Sequence, residues 1–399
     1  MNINFVFKEI TFFKKYKTNP IVIGWFLLTL LTIISEIARG AKANNNYLIF
    51  ENVFYNTIHQ LNLYNPYPDV HFDMNHYGII FSVLIAPFAL LPFWAGCLLW
   101  SMANAWFLFY VINRLDLDKK KKLIILAIGL IELLTTTHNN QFNPMLTAFI
   151  IYPFILVNEE KEWKATFFIA IGFLIKLYGI VALVTFLFSR NKIKFAGSFI
   201  GWLLILFCLP MIISSPEFVI QSYTDWYHSI AEKNDLNTSL GIVIGQNISV
   251  HGMIQRIFNV QSLSQLWVLL PAAILNLLPL LRFKAYQHKI FQLNYLALCL
   301  ISVTIFSSSA ESSTFIIAVI GVAIWFAIND MKNKWIIGLL IFTFLFTILS
   351  PTDLYPNFIQ KNFFVKYSLK ALPCFLVWAV IVVQLLTQNF NQTQVKATV

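Results

Sequence analysis

Charged residues are scarce in this 399-residue sequence, and their scarcity excludes a water-soluble globular protein. Only 12% of the residues are charged, whereas 58% are hydrophobic and the mean hydropathy is +0.70. Such values are typical of a polytopic helical membrane protein. Long apolar stretches support this interpretation, since "IVIGWFLLTLLTII" and "FAGSFIGWLLILFCLPMII" belong to segments that reach the length of a membrane span.

The sequence also lacks the motifs of several enzyme classes. It contains no glycine-rich phosphate loop, no metal-ligand cluster and no serine–histidine triad, which argues against an ATP-driven pump or a hydrolase. Cysteine is rare, and each of the four lies in an apolar run. The sequence therefore predicts buried core cysteines rather than disulfides or metal ligands. These residues are Cys97, Cys208, Cys299 and Cys374.

The basic residues predict the orientation of the chain in the membrane. Two apolar segments are ambiguous, because residues 78–93 form either a span or a surface helix and residues 165–187 form either one span or two short helices. Placing the first on the surface and breaking the second at Lys176 puts 20 of the 28 basic residues in the cytoplasm. The rival arrangement divides the basic residues almost equally between the two sides of the membrane. The positive-inside rule thus predicts about twelve spans with both termini cytoplasmic.

The N-terminus has two interpretations. Its basic residues and first apolar run resemble a signal peptide, and "AKA" at 41–43 imitates a cleavage site. Because every later segment is also apolar, we predict an uncleaved first span within a single membrane domain, 1–399. The excess of lysine and arginine then reflects cytoplasmic loops rather than nucleic-acid binding.

The predicted topology places the polar segments on one side of the membrane. Residues 41–94 form the first outer loop and residues 215–263 the second long outer loop. Residues 138–144, 308–313 and 351–366 emerge on the same, non-cytoplasmic face. A site built from these segments would therefore face away from the cytoplasm.

The first outer loop concentrates acidic residues in a chain that has only 18 of them. A helix of about 46–62 is predicted to contain Glu51, and the turn that follows contains Asp69 and Asp73. A second helix is predicted from Tyr77. Either these are solvated loop acids, or their position at the membrane interface makes them candidates for catalysis.

The motif "HNNQFNP" at 138–144 joins two predicted spans. Amide side chains there are costly unless they are hydrogen-bonded. A carboxamide both donates hydrogen bonds to hydroxyls and accepts hydrogen bonds from them. The sequence therefore predicts a sugar-binding site at Asn140, Gln141 and Asn143. The alternative is that the helix ends and water supply the hydrogen-bond partners of these side chains.

Three further charged residues lie in apolar or membrane-adjacent sequence. The sequence predicts a phosphate site at Lys176, in "IAIGFLIKLYGIVAL", and Arg256, in "GQNISVHGMIQRIF". The alternative for Lys176 is that its side chain extends to the membrane–water interface. Glu311 stands among serines between two spans. It is predicted either to join the polar site or to bond neighbouring helices.

The serial order of these segments resembles glycosyltransferase family 87 of the GT-C class, the polyprenyl-phosphate-mannose-dependent mannosyltransferase-like proteins. The family shows an acid-led helix that ends in Leu-Tyr, then a Tyr-Pro-Pro-Phe-like motif running into "PLALLP". The counterparts here are "NYLIFENVFYNTIHQLNLY", "HYGIIF" and "APFALLP". Further along, "NNQFN", "IKLYGIVAL" and the positions Asn247, Ser249 and Arg256 resemble family segments. The resemblance covers about 40–330.

The resemblance implies an all-α GT-C-type bundle of about 12 transmembrane helices, with interfacial helices in the first outer loop. It implies a glycosyltransferase that moves a hexose, mannose or another, from a polyprenyl-phosphate donor to a glycan or glycolipid of the cell envelope, with inversion. Lys176 and Arg256 would hold the leaving phosphate. Asn46, His76, Tyr77, Asn247, Ser249 and Glu311 would join the amides in binding sugar and acceptor. The expected location is the outer face of a bacterial inner membrane.

The sequence departs from the family at the helix-leading acid, whose place is taken by Asn46. An amide cannot act as a general base, so the role is predicted to fall first to Asp73, then to Asp69 or Glu51. The Pro-Pro pair is also replaced, by Gly78 and Ile79.

No metal or other cofactor is predicted beyond the lipid-linked sugar donor. The expected partners are this donor, the acceptor and membrane lipids, with no nucleic acid, and the sequence predicts no oligomeric state. A transporter or lipid-linked-oligosaccharide flippase is the main alternative and would show inverted repeats. A catalytically inactive family member is the third interpretation.

Overall fold

The computed structural model describes residues 10–12, 16–239, 246–260 and 262–390. Within these ranges the chain is helical apart from one short antiparallel ribbon of β1 (Ile10–Phe12) and β2 (Tyr16–Thr18), in which Ile10 pairs with Thr18. The prediction of an α-helical protein is confirmed. The count of about twelve spans stays a prediction.

The chain divides into two compact units, Met1–Glu232 and Lys233–Val399, and the single membrane domain stays a prediction. Helices of the first unit run in the order α1 (Pro20–Ala38), α2 (Asn45–His59), α3 (Phe81–Ala89), α4 (Phe93–Arg114), α5 (Lys119–His138), α6 (Asn143–Asn158), α7 (Glu162–Ile175), α8 (Thr185–Phe188) and α9 (Lys192–Cys208), followed by most of α10 (Pro216–Ser239). Short 3₁₀ helices occupy Ala41–Asn44, Leu177–Val184 and Leu209–Ile212.

Helices of the second unit are α11 (Val250–Phe258), α12 (Leu266–Leu277), α13 (Lys289–Ile305), α14 (Phe315–Ile328), α15 (Lys334–Thr343), α16 (Asn357–Ile359) and α17 (Ala371–Thr387). Single 3₁₀ or π turns extend or join them at Leu278–Leu281, Phe283–Ala285, Ser312–Thr314, Phe344–Ile348 and Gln360–Val365. Helices α13, α14 and α17 pack on one another and form the core of this unit.

Within the described ranges, three helices are long and apolar enough to cross a membrane: Pro20–Ala38, Phe93–Arg114 and Lys192–Ile212. Helix α1 shows why. Asn19 caps it by accepting a hydrogen bond from the Ile21 amide, Pro20 occupies the first turn, and Leu27 and Leu31 are exposed. An apolar side that packs on no protein is suited to lipid. Seven shorter apolar helices accompany these three.

The segment 41–94, for which an outer position stays a prediction, contains two α-helices as predicted, but both are shorter than expected. Helix α2 ends at His59 rather than near residue 62, because Gln60 takes a left-handed conformation, with φ 55°, and the Leu61 amide bonds the Asn56 carbonyl. The second begins at Phe81 rather than at Tyr77, because the preceding residues form a turn.

The predicted break at Lys176 is confirmed. Helix α7 ends at Ile175, Lys176 is extended, and a 3₁₀ helix follows. Gly179 makes the reversal sterically feasible, since a Cβ on it would lie 2.4 Å from the Gly172 backbone carbon. Residues 177–184 therefore pack closely against the helix that they have just left.

The alternating directions of consecutive helices bring several helix ends of the first unit together. Helix α4 packs on α6, α6 packs on α7, and α1 packs on both α4 and α5. The connections from α4 through α7 are short, and Glu36 near the end of α1 contacts His138 at the end of α5. The C-terminal ends of α1, α5 and α7 therefore lie on the same side as the N-terminal ends of α4 and α6.

The cysteine prediction is partly wrong. All four cysteines are free, and Cys97, Cys299 and Cys374 are buried, but Cys208 is exposed. It is the last residue of α9, whose surface is largely uncovered by other helices. In an apolar membrane helix, hydropathy does not distinguish a face turned to protein from a face turned to lipid.

Candidate active site

The turn between α5 and α6 is held in place by buried hydrogen bonds. Asn140 is buried and has a left-handed backbone, with φ 52°. Its amide nitrogen donates to Asn44 Oδ1 at 2.8 Å, its Oδ1 accepts from Cys97 Sγ at 3.1 Å, and its carbonyl accepts from Trp100 Nε1 at 3.1 Å. Of the residues predicted to bind sugar, Asn140 thus holds the turn itself.

The residues around this turn form a cluster that combines a cation, two amides and two phenols. Tyr77 donates its hydroxyl to Gln141 Oε1 at 3.1 Å, and Lys176 donates to Asn143 Oδ1 at 3.2 Å. The Lys176 ammonium also lies over the rings of Tyr77 and Tyr178, 5.8 Å and 4.7 Å from their centroids. We call Tyr77, Gln141, Asn143, Lys176 and Tyr178 the Lys176 cluster.

Gly78 allows Tyr77 to reach this cluster. Its amide donates to the Ile175 carbonyl at 3.0 Å, and a Cβ at residue 78 would lie 2.0 Å from the Leu174 carbonyl oxygen. Only glycine permits such an approach to the end of α7. The departure of the sequence from the family motif at this position therefore has a local structural reason.

The Tyr77 ring belongs to an aromatic core beneath the cluster. It lies 5.3 Å from Phe50 and 5.0 Å from Phe81, and Phe81 in turn lies 5.7 Å from Trp100. These rings are buried. The polar groups above them are consequently attached to a rigid apolar base, which favours a fixed geometry at the site.

Asn46, at the position of the family acid, donates its amide to the Asn139 carbonyl at 2.8 Å. Its neighbour Asn45 accepts from the Phe72 amide at 2.9 Å, which places the loop with Asp73 beside the first turn of α2. Asp73 is exposed and its Oδ1 accepts from the Met74 amide.

The two other predicted acids differ in environment. Asp69 is exposed in the turn. Glu51 is half-buried in α2, and burial raises the pKa of its carboxyl. No hydrogen-bond or ion-pair partner of the Glu51 carboxylate occurs among the described residues. A raised carboxyl pKa gives a stronger base, but the side chain is not held by a partner.

His76 contacts α10. Its Nδ1 lies 3.0 Å from Ser229 Oγ, and its carbonyl accepts from Trp226 Nε1 at 3.0 Å. These bonds, together with that from Asn62 to Asp225 at 2.8 Å, attach the loop to α10.

The remaining predicted residues lie in the second unit, where each has a local partner. Ser249 caps α11, accepting from the Gly252 amide and donating to Asn247 Oδ1 at 2.6 Å. Arg256 donates to the Gln246 carbonyl at 2.7 Å, and burial lowers its pKa. Glu311 pairs with Lys233 at 3.5 Å and caps the following turn.

The sequence did not predict a site role for Glu36, which is buried at the end of α1. It pairs with Arg39, whose Nη1 lies 2.8 Å from Glu36 Oε2. Its other oxygen lies 2.7 Å from His138 Nδ1. Three helices separate Glu36 from His138 in the sequence, so no local pattern signals this contact.

These features define a helical membrane protein with a polar, lysine-containing site where the ends of α5, α6 and α7 meet. The chain belongs to glycosyltransferase family 87, because the model of that family matches residues 75–351, more than half of its length. No curated protein matches the chain. The family match covers His138, the Lys176 cluster and Arg256 but begins after Asn46, Glu51, Asp69 and Asp73.

Family membership identifies a glycosyltransferase. Among the described residues, no group of three or more histidines, cysteines or acids is arranged to hold a metal ion.

Proposed function

We propose that the protein transfers a hexose, with mannose as the first candidate, from a polyprenyl-phosphate donor to a glycan or glycolipid acceptor. The reaction inverts the anomeric carbon and takes place at the non-cytoplasmic face of a bacterial inner membrane. The observation on which this proposal mainly rests is the Lys176 cluster, in a chain that belongs to a glycosyltransferase family.

Lys176 is suited to stabilise a leaving phosphate. It is half-buried at a helix break, where its charge acts more strongly than in bulk water. Helix α6 begins at Asn143 in the same cluster, and a helix N-terminus attracts anions. Both effects stabilise negative charge that develops as the sugar–phosphate bond breaks.

Gln141 would orient sugar hydroxyls beside that phosphate, whereas Asn143 is buried and holds Lys176. Tyr77 donates to Gln141 Oε1, and a carboxamide has further hydrogen-bonding capacity. Asn247, Ser249, Glu311 and Arg256 have local partners in the second unit, so the proposal rests on the first unit.

The energetics of the reaction need no nucleotide. The phosphate ester of the donor already activates the anomeric carbon, and the enzyme has to position two substrates and stabilise the leaving group. The catalytic base has more than one candidate in the first unit, because Asn46 cannot supply it.

Transfer by the purified protein, with radiolabelled mannosyl-phosphoryl polyprenol and a glycolipid acceptor, tests this proposal. We expect Lys176→Gln to lower kcat/KM about 10²- to 10³-fold, the cost typical of losing one charge-stabilising donor. Lys164→Gln, which removes an exposed lysine of α7, is the matched control and should retain transfer.

Two outcomes would contradict the proposal. Equal activity of Lys176→Gln and wild type would remove the phosphate-binding role. Movement of the labelled lipid across vesicle membranes without a new glycosidic bond would identify a flippase instead.

A further inference from the structure

Glu36 and His138 form an acid–imidazole pair beside the candidate site. Glu36 is buried, whereas about half of the His138 side chain is exposed. The carboxylate is held at both oxygens, by His138 Nδ1 at 2.7 Å and by Arg39 Nη1 at 2.8 Å. A buried carboxylate with two such partners has a fixed orientation.

This arrangement determines how the imidazole is presented. A carboxylate only accepts hydrogen bonds, so Nδ1 is the protonated nitrogen of the neutral ring and Nε2 bears the lone pair. Among the described residues, Nε2 has no hydrogen-bond partner. The pair thus has the geometry in which an acid fixes the tautomer of a histidine base.

The pair lies next to the position where the family acid is missing. His138 is followed by Asn139, whose carbonyl accepts from Asn46 at 2.8 Å. Asn44, two residues before Asn46, donates to the Glu36 carbonyl at 2.8 Å. The same turn continues from His138 to Asn143, the partner of Lys176.

We infer that His138, oriented by Glu36, is the general base of the proposed transfer. His138 Nε2 removes the proton of the acceptor hydroxyl as that oxygen bonds to the anomeric carbon. The bond from this carbon to the phosphate oxygen breaks, and its electron pair leaves with the polyprenyl phosphate. Glu36 is a positioning residue that stabilises the imidazolium.

His138 suits this role better than the three acids in the first outer loop. Asp73 bonds the amide of its own neighbour, Asp69 is exposed, and Glu51 has no orienting partner in the part of the chain that the structure describes. A base held by a second group is presented to substrate at a lower entropic cost.

Two other titratable groups of the first unit interact with Glu36. Arg39 of α1 pairs with it, and Cys97 of α4 lies within electrostatic reach of it and of Glu51. Arg39 offsets part of the negative charge that Glu36 carries.

Chemical rescue tests the inference, which rests on the proposed function. We expect His138→Ala to lower kcat about 10²- to 10⁴-fold, the usual contribution of a general base, and added imidazole to restore part of the loss. Glu36→Gln should lower kcat by less, with Glu36→Asp retaining more activity. His59→Ala, which removes an exposed histidine at the end of α2, is the control and should match wild type.

The outcomes separate this inference from the function on which it depends. No transfer by wild-type protein would overturn both. Transfer by wild type together with full activity of His138→Ala would overturn only the assignment of the base. An inactive His138→Ala that imidazole fails to rescue, while its melting temperature equals that of wild type, would also contradict it.

Discussion

The amide of Asn46 explains why this residue replaces an acid. Its nitrogen donates to the Asn139 carbonyl at 2.8 Å, and that carbonyl belongs to the turn that follows His138. A carboxylate at residue 46 would direct an acceptor oxygen at another acceptor. The amide therefore suits a site in which residue 46 holds the turn and another residue supplies the base.

We accordingly expect Asn46→Asp to lower transfer rather than to restore a family-like base. The lost hydrogen bond should cost about 1 kcal/mol, measured as a lower melting temperature beside the kcat of each variant. Asn46→Ser, which keeps a donor but shortens the side chain, is the comparison. Faster transfer by Asn46→Asp would show instead that a carboxylate at this position is productive.

At the scale of helices, the break at Lys176 determines how the cation is presented. If α7 continued, Lys176 would turn with the helix and project according to its period. The chain instead becomes extended at Lys176 and folds back, with Gly179 against Gly172. The half-buried ammonium thereby meets Asn143 and Tyr77.

Gly179→Ala is expected to disturb this break. The added Cβ would lie 2.4 Å from the Gly172 backbone carbon, so the 3₁₀ segment has to shift. We expect a loss of about 1–3 kcal/mol in stability and reduced transfer as Lys176 moves. Gly197→Ala in α9 is the matched control, because a Cβ there meets nothing within 4 Å. Equal transfer by both variants would contradict the role of the break.

At the scale of the whole molecule, the basic residues predict which face the site occupies. Loops that are rich in lysine and arginine near span ends are retained in the cytoplasm. The topology that follows places the first outer loop outside and the lysine-rich start of α5 inside. Sidedness is a property of the chain in its membrane, so labelling in cells is the direct measurement.

Cysteine labelling tests this topology. In a Cys208→Ser background, which removes the exposed cysteine, we expect Asp69→Cys to react with a membrane-impermeant maleimide in intact cells. Lys120→Cys, at the start of α5, should react only after permeabilisation. Reaction of both under the same condition would contradict the orientation proposed for the site.

Much of the site could be predicted from residue types, but its contacts could not. Gln141, Asn143 and Lys176 were predicted because polar residues in apolar surroundings stand out individually, and Tyr77 was predicted from the resemblance to the family. Their pairing depends on Gly78 and on the fold of residues 177–184, which only packing reveals. Asn140 has the same residue type as Asn143, yet it bonds Asn44 within the turn, whereas Asn143 bonds Lys176.

The sequence by itself determined the membrane class, the helical fold and the break at Lys176, because hydropathy and charge are local properties that sum along the chain. Tertiary structure decided which side chains meet. Glu36 and His138 are separated by three helices and come together only because α1 packs on α5. Such contacts depend on how the helices pack together, and no single segment of the sequence predicts them.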